Sequence, residues 1–234
     1  MEQFSRTISL VGQSAFDRVH QARVAVFGVG GVGGYVCEAL VRSGIAEIDL
    51  FDRDDVSISN LNRQIIALHS TIGQDKVDAM AARLKDINPD VRVNCRKMFY
   101  LPTNADEIDL SVYDFVVDAV DTVAAKLELA RRCEQGGIRF ISAMGAGNKL
   151  DPTRFEVADI AKTSVCPLCR VMRTQLKKRG VAHHTVVYST EEPLKIVADE
   201  QNGRHAPGSV SFVPPVVGLI MAGEIIKTIA RGNA

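Results

Sequence analysis

The chain has no surplus of either charge: 28 lysines and arginines stand against 28 aspartates and glutamates in 234 residues. No global field therefore draws it to nucleic acid or a membrane surface, although a local basic patch still would. No apolar run reaches the roughly 18 to 20 residues that span a bilayer. The longest, residues 212–221, is interrupted by Pro214, Pro215 and Gly218. Residues 1–12 carry charges and no long apolar centre, so no signal peptide is expected and the cytoplasm is the expected compartment. The five cysteines, Cys37, Cys95, Cys133, Cys166 and Cys169, are odd in number, which argues for free thiols rather than a disulfide framework. Internal repeats and low-complexity tracts are also missing. What remains is an ordinary globular composition, 46% hydrophobic and 24% charged, long enough for one large α/β domain with or without a small appendage.

The chain is organised around residues 23–52, RVAVFGVGGVGGYVCEALVRSGIAEIDLFD. Its opening apolar, β-branched run looks like a buried parallel strand. Gly28, Gly30 and Gly33 then fit G-x-G-x-x-G, with Gly31 and Gly34 beside them. Glycines here let a turn tighten and let the backbone approach a phosphate. Residues 32–43 read as a helix with Val36, Leu40 and Val41 on one face, stopped by Gly44. The N-terminus of that helix offers free N–H groups to an anion. Residues 45–51 form a second strand closed by Asp52, a carboxylate suited to accept hydrogen bonds from a ribose. NAD, FAD and ATP all satisfy this unit.

The next stretch, RDDVSISNLNRQIIALHSTIGQDK, narrows the choice. Ser57, Ser59, Asn60 and Asn62 favour loop and capping geometry. Arg63, Gln64 and Lys76 bring two cations and an amide close to the glycine turn. Arginine contacts phosphate bidentately, and lysine supplies a mobile point charge. A dinucleotide, with one pyrophosphate, has little use for this set. A triphosphate about to lose pyrophosphate does, so the residues favour adenylation over dehydrogenation.

Strand and helix patterns alternate as far as residue 143. Helices are expected over 76–87 and 124–135, and strands over 91–95, 113–120 and 139–143. The alternation predicts a Rossmann-like, doubly wound, mostly parallel α/β sheet. In such sheets ligands gather at the carboxyl ends of strands, where Asp52, Asp121 and Thr122 fall. Asp121 is thus a candidate to hold magnesium against nucleotide phosphates. Residues 144–234 form a smaller C-terminal part, expected to face the substrate. It contains a short strand at 155–157, the run Cys166-Pro167-Leu168-Cys169, and a basic helix with Arg170, Arg173, Lys177, Lys178 and Arg179. A strand over 181–189, a polar loop over 191–207 and a closing helix over 216–230 follow. Ahead of the first strand, Leu10, Val11, Ala15, Phe16 and Val19 are spaced as one helical stripe.

Taken together, GVGGVG, FDRDDVSISNLNRQ, GQDK, VVDAVDT and PPVVGLIMAGEIIK resemble, in order and over most of the chain, the ubiquitin-activating-like (ThiF-type) adenylating enzymes. The resemblance implies one adenylating domain, a homodimer, and ATP-dependent activation of a carboxylate as an acyl-adenylate with magnesium. It implies that Gly28, Gly30, Gly31 and Gly33 meet the nucleotide and that Asp52 binds its ribose. Ser59, Asn60, Arg63, Gln64 and Lys76 would meet the phosphates, and Asp121 with Thr122 the magnesium and departing pyrophosphate. Arg6, in the segment FSR, resembles the arginine that reaches into the other subunit's active site.

Within the family, GAGNKLDPTRFEVADIAKTSVCPLCRVMR looks most like one branch, the tRNA threonylcarbamoyladenosine dehydratases. That branch implies adenylation of the threonyl carboxylate and a ring closure that expels AMP. Arg6, Arg63, Lys76 and Asp121 are then the catalytic set, no protein nucleophile is required, and the basic helix is the expected tRNA contact. The alternative is an adenylyltransferase acting on the C-terminal glycine of a ubiquitin-like sulfur carrier, with a sulfur-relay protein as partner. Several relatives of that kind carry two C-x-x-C pairs, but here no cysteine follows Cys169. A nucleotide-binding scaffold without turnover would leave Asp52, Arg63, Lys76 and Asp121 without a task. Two unremarkable thiols are the favoured reading of Cys166 and Cys169. A zinc site completed by His183, His184 or His205, a redox pair and a thioester-forming Cys166 rank behind it. His183 and His184, adjacent on a strand, are expected to face opposite ways.

Overall fold

The computed structural model describes residues 2–195 and 207–232. Helices α1 (Ser5–Val11) and α2 (Gln13–Gln21) lead into β1 (Arg23–Phe27), α3 (Gly33–Arg42) and β2 (Glu47–Phe51). Next come α4 (Lys76–Ile87), β3 (Arg92–Arg96), β4 (Phe115–Asp118), α5 (Val123–Gly136) and β5 (Phe140–Ala143). The chain closes with β6 (Phe155–Asp159), α6 (Pro167–Lys177), β7 (Thr185–Ser189) and α7 (Pro214–Arg231).

The strands make one sheet in the order β3-β2-β1-β4-β5-β7-β6. All neighbours are parallel except β6, which runs antiparallel to β7. The expected doubly wound sheet is therefore present. Winding reverses at β1, which lies between β2 and β4, and a reversal of this kind opens a crevice at the carboxyl ends of the strands. Phe27 ends β1 beside Phe51 on one side and Asp118 on the other. The strand period of two sends successive side chains to opposite faces. Val24 and Val26 join one core with Val36, Leu40, Val217 and Met221, while Ala25 and Phe27 join a second with Leu129, Met172 and Leu176. The strands beyond residue 143 belong to the same sheet, with β7 paired directly to β5.

Three local expectations change. The N-terminal stripe is two helices, because Gly12 adopts φ +85° and breaks it. Phe16 and Val19 are buried, whereas Leu10 is 87% exposed. The strand expected from residue 181 begins at Thr185, where pairing with β5 and β6 starts, so His183 and His184 precede it. The helix expected from Arg170 begins at Pro167, with Cys166 as its N-cap. Residues 196–206, most of the expected polar loop and the position of His205, lie outside the described residues. Among the described residues no helix is long and apolar enough to cross a membrane.

Candidate active site

The crevice at the switch point is a cleft of about 390 Å³. Its wall contains Gly28, Gly30, Gly31, Asp52, Asn60, Arg63, Gln64, Lys76, Asp121 and Thr122. Ten side chains or turn glycines that are far apart in sequence thus meet in one place.

The glycine turn has two jobs. Gly28 adopts φ +90°, and a Cβ there would stand 2.6 Å from the Ala119 carbonyl oxygen. The turn after β1 therefore packs directly on the turn after β4. Gly33 does not line the cleft: a Cβ on it would meet the Gly28 carbonyl oxygen at 1.8 Å. That close approach gives it a packing role, seating α3 on the turn. Gly30 and Gly31 are the members that face the cleft.

Asp52, at the end of β2, is locked before any ligand arrives. One carboxylate oxygen accepts from the Val29 N–H at 2.7 Å and the other from the Asp54 N–H at 2.9 Å. Lys76 opens α4, and its ammonium lies 2.8 Å from Asp54 Oδ2 and 4.0 Å from Asp52 Oδ1. The lysine side chain is only 8% exposed, so its charge is aimed rather than free. Arg63 donates to the Ser59 carbonyl and to Asn62 Oδ1, both at 2.9 Å. Ser59 itself is absent from the cleft wall; its hydroxyl pairs with that of Ser57 at 2.9 Å, and its carbonyl steadies Arg63. Asn60 caps the short turn, accepting from the Ser57 N–H at 3.1 Å.

Asp121 is exposed, and among the described residues its carboxylate accepts only from the Thr122 hydroxyl, at 3.3 Å. Magnesium is held through one or two carboxylates and the substrate's phosphates rather than by an all-protein cage. Among the described residues there is no group of three or more metal-binding side chains. A single uncommitted carboxylate at the cleft therefore fits magnesium carried by a nucleotide.

Among the described residues, two residues that line the same cleft carry a buried polar atom without a partner: Gln64 (Oε1) and Ser209 (Oγ). Buried polar atoms are nearly always hydrogen-bonded, so these two mark where a polar ligand belongs. Gln64 was expected from sequence; Ser209 was not. Met98 and Phe99 also line the cleft, with the Arg53 guanidinium 5.2 Å from the Phe99 ring centre. Phe27 stacks on Phe51 at 4.2 Å and meets the Tyr100 ring edge-on at 5.0 Å. The signal for this apolar wall was the run MFY just after β3, at the carboxyl end of a strand.

Below the cleft lies a network with no sequence signature. Lys126 Nζ donates to both oxygens of Asp118, at 3.1 and 3.0 Å, and to the Ala143 carbonyl at 2.7 Å. His184 packs on Phe140 beside it, with ring centres 5.4 Å apart. Both nitrogens of His184 are sealed from solvent and lack a partner among the described residues. Burial, reinforced by the Lys126 charge, pulls its pKa down to about 4. His183 instead is 73% exposed and pairs with Asp159 at 3.0 Å. The two imidazoles do face opposite environments.

Arg6 is exposed on α1 and does not reach the cleft of its own chain. Cys166 and Cys169 are free thiols, 3% and 0% exposed. Cys166 is not ordinary: the neighbouring Cys169 thiol, together with the backbone N–H groups of Cys169, Gly145 and Leu168, pulls its pKa below the usual thiol range. Burial leaves that sulfur no room to receive a macromolecular acyl group. Arg170 and Lys177 on α6, and Lys178 at its C-cap, are exposed. Arg173 is tied to the Thr163 carbonyl at 2.9 Å and Arg179 to the Gln175 carbonyl at 2.8 Å, so among the described residues three of the five expected cations are uncommitted.

The ThiF family model matches residues 4–233. A tRNA threonylcarbamoyladenosine dehydratase of Bacillus subtilis (strain 168) is 43% identical, over 99% of this chain and 96% of that protein. Crystal structures of the Escherichia coli tRNA N6-threonylcarbamoyladenosine dehydratase superpose closely. Its AMP complex gives a TM-score of 0.90 at 34% identity, covering 98% of this chain and 94% of that one. Its ATP complex gives 0.87 at 33% identity, covering 99% and 97%. A sulfur carrier protein adenylyltransferase of Thermus thermophilus is 36% identical over 94% of this chain and 73% of that protein.

Proposed function

The chain belongs to the ThiF family, and from that premise we propose that its cleft binds ATP and activates the threonyl carboxylate of N6-threonylcarbamoyladenosine in tRNA, which the enzyme then dehydrates to the cyclic form. The observation that carries this reading is the cleft itself. Orphaned Gln64 and Ser209 atoms share it with the glycine turn, the aimed Lys76 and the uncommitted Asp121. Relatives that perform this reaction match nearly the whole chain, and one of them has been solved with ATP and with AMP. The sulfur-carrier adenylyltransferase is the more distant relative.

The chemistry follows from the charges. A carboxylate oxygen is a poor leaving group, and transfer of AMP to it makes a good one. The substrate carboxylate attacks the α-phosphorus, the bond to the bridging oxygen breaks, and pyrophosphate leaves. A group of the same threonylcarbamoyl side chain then attacks the activated carbonyl. The ring closes, the former carboxylate oxygen departs in AMP, and the proton of the attacking group passes to solvent. The protein's task is to place and neutralise phosphate charge, which is electrostatic catalysis. Lys76 and Arg63 supply fixed cations, Asp52 meets the ribose, and Met98, Phe99 and Tyr100 offer an apolar wall to the base. Magnesium, held by Asp121, would neutralise the departing pyrophosphate.

Arg6, exposed and outside its own cleft, completes the site of a second copy in a homodimer. The exposed cations of α6 meet the tRNA backbone, where phosphate contacts position without reading sequence. The substrate sets the cytoplasm as the place of action. The deciding experiment is ATP–pyrophosphate exchange, run separately with threonylcarbamoyl-modified tRNA and with ubiquitin-like sulfur carriers. Exchange and AMP release only with modified tRNA are expected; exchange driven by the carrier alone would overturn the assignment.

A further inference from the structure

The geometry points to Asp118 and Lys126 as positioning residues for adenylation, acting through the backbone of the two loops that wall the cleft; this rests on the ATP-dependent reading above. Neither side chain lines the cleft. Asp118 is 0% exposed and Lys126 1%, so both charges have been taken fully out of water. Such a pair is weak evidence for stability, because apolar residues of similar volume often serve the fold as well or better. What the pair does provide is a fully satisfied set of fixed directions.

Those directions converge on the cleft from two sides. Asp118 Oδ1 accepts from the Val120 N–H at 3.2 Å, which sets the turn that carries Asp121 and Thr122. Asp118 Oδ2 accepts from the Ser142 hydroxyl at 2.7 Å. Lys126 reaches past the carboxylate to the Ala143 carbonyl at 2.7 Å, at the end of β5. Shortly beyond it, Ala146 and Gly147 line the cleft. One ion pair therefore clamps the end of β4 to the end of β5. It also fixes the first turn against the glycine turn, because Ala119 is the residue that crowds Gly28. An apolar pair would fill the same space and leave the Val120 N–H and Ala143 carbonyl without these partners.

The test uses two double variants of the full-length protein. Asp118→Leu/Lys126→Met removes charge and hydrogen bonds together. Asp118→Asn/Lys126→Met removes the charges but keeps an acceptor for Val120. For the first, the expectation is a cooperative melt near that of wild type, an ATP KM within about threefold, and a kcat about 10²-fold lower, the scale of a small misplacement of reacting groups. The second should recover roughly tenfold of that loss. Amide hydrogen exchange should quicken at residues 119–122 and 144–147 in the first variant. A folded Leu/Met variant with wild-type kcat and unchanged exchange at both loops would overturn the proposal. If that variant does not fold, an Asn/Met variant with wild-type kcat and exchange overturns it equally. If the wild-type protein forms no AMP with modified tRNA, the functional reading fails, and the hydrogen-exchange arm still decides the clamp.

Discussion

His184 should make the fold acid-sensitive in a window that a single substitution removes. Its imidazole ordinarily protonates near pH 6.5, but burial and the Lys126 charge hold it neutral in the fold until about pH 4. Between those values the unfolded chain binds a proton that the folded chain refuses. Stability is then fully present above pH 6.5 and lost as pH falls towards 4. From pH 7 to pH 5 this one group should cost about 2 kcal/mol, and about 3 kcal/mol once the pH is below 4. His184→Leu deletes the titration and fills most of the same volume. Its own packing cost is the same at every pH and cancels from the comparison. The assay is urea unfolding at pH 7, 6 and 5, with stability differences taken within each protein before the two are compared. Wild type should lose about 2 kcal/mol more than His184→Leu over that interval. Equal losses in both would show that His184 is solvated or partnered in solution, and the dry environment assigned to it would be wrong.

Lys76→Ala and Asp121→Ala should each lower AMP-forming turnover by about 10²–10³ with little change in melting temperature; near-normal turnover in either would remove that residue from the mechanism. Arg6→Ala homodimers should be nearly inactive, and mixing them with Lys76→Ala protein should restore activity, because one site of a mixed dimer keeps both residues; no rescue after verified subunit exchange would place Arg6 outside the partner's site. An Arg170→Ala/Lys177→Ala/Lys178→Ala variant should bind ATP normally but tRNA weakly, with a log–log salt slope flatter by roughly 0.7 to 0.9 per lost contact; an unchanged slope would return α6 to the plain surface. Gly33→Ala should destabilise the fold by about 1–3 kcal/mol, since its methyl would overlap the Gly28 carbonyl; a neutral effect in urea unfolding would contradict the close packing of α3 on the turn.

The sequence by itself determined the features that depend on neighbours a few residues away. A β-branched run, a glycine turn, a helix and a closing acid follow one another between Arg23 and Asp52, and each is fixed by local sterics and periodicity. The same holds for Lys76 at the start of α4 and Asp121 after β4, because the carboxyl ends of parallel strands are where such a sheet presents its ligands. Tertiary structure decided the rest. Gly33 and Ser59 match the motif, but packing turns one onto the Gly28 carbonyl and the other towards Ser57 and Arg63. Arg173 carries the same charge as Lys177, yet Thr163, ten positions earlier, captures it. Tyr100 and Ser209 enter the cleft from segments with no periodic signal, and Asp118 meets Lys126 only because β4 and α5 pack over Ala143. Local pattern says which residues are able to act. Which of them keep a free polar atom facing the cleft depends on contacts between residues distant in sequence, and those are settled when the chain has closed around the sheet.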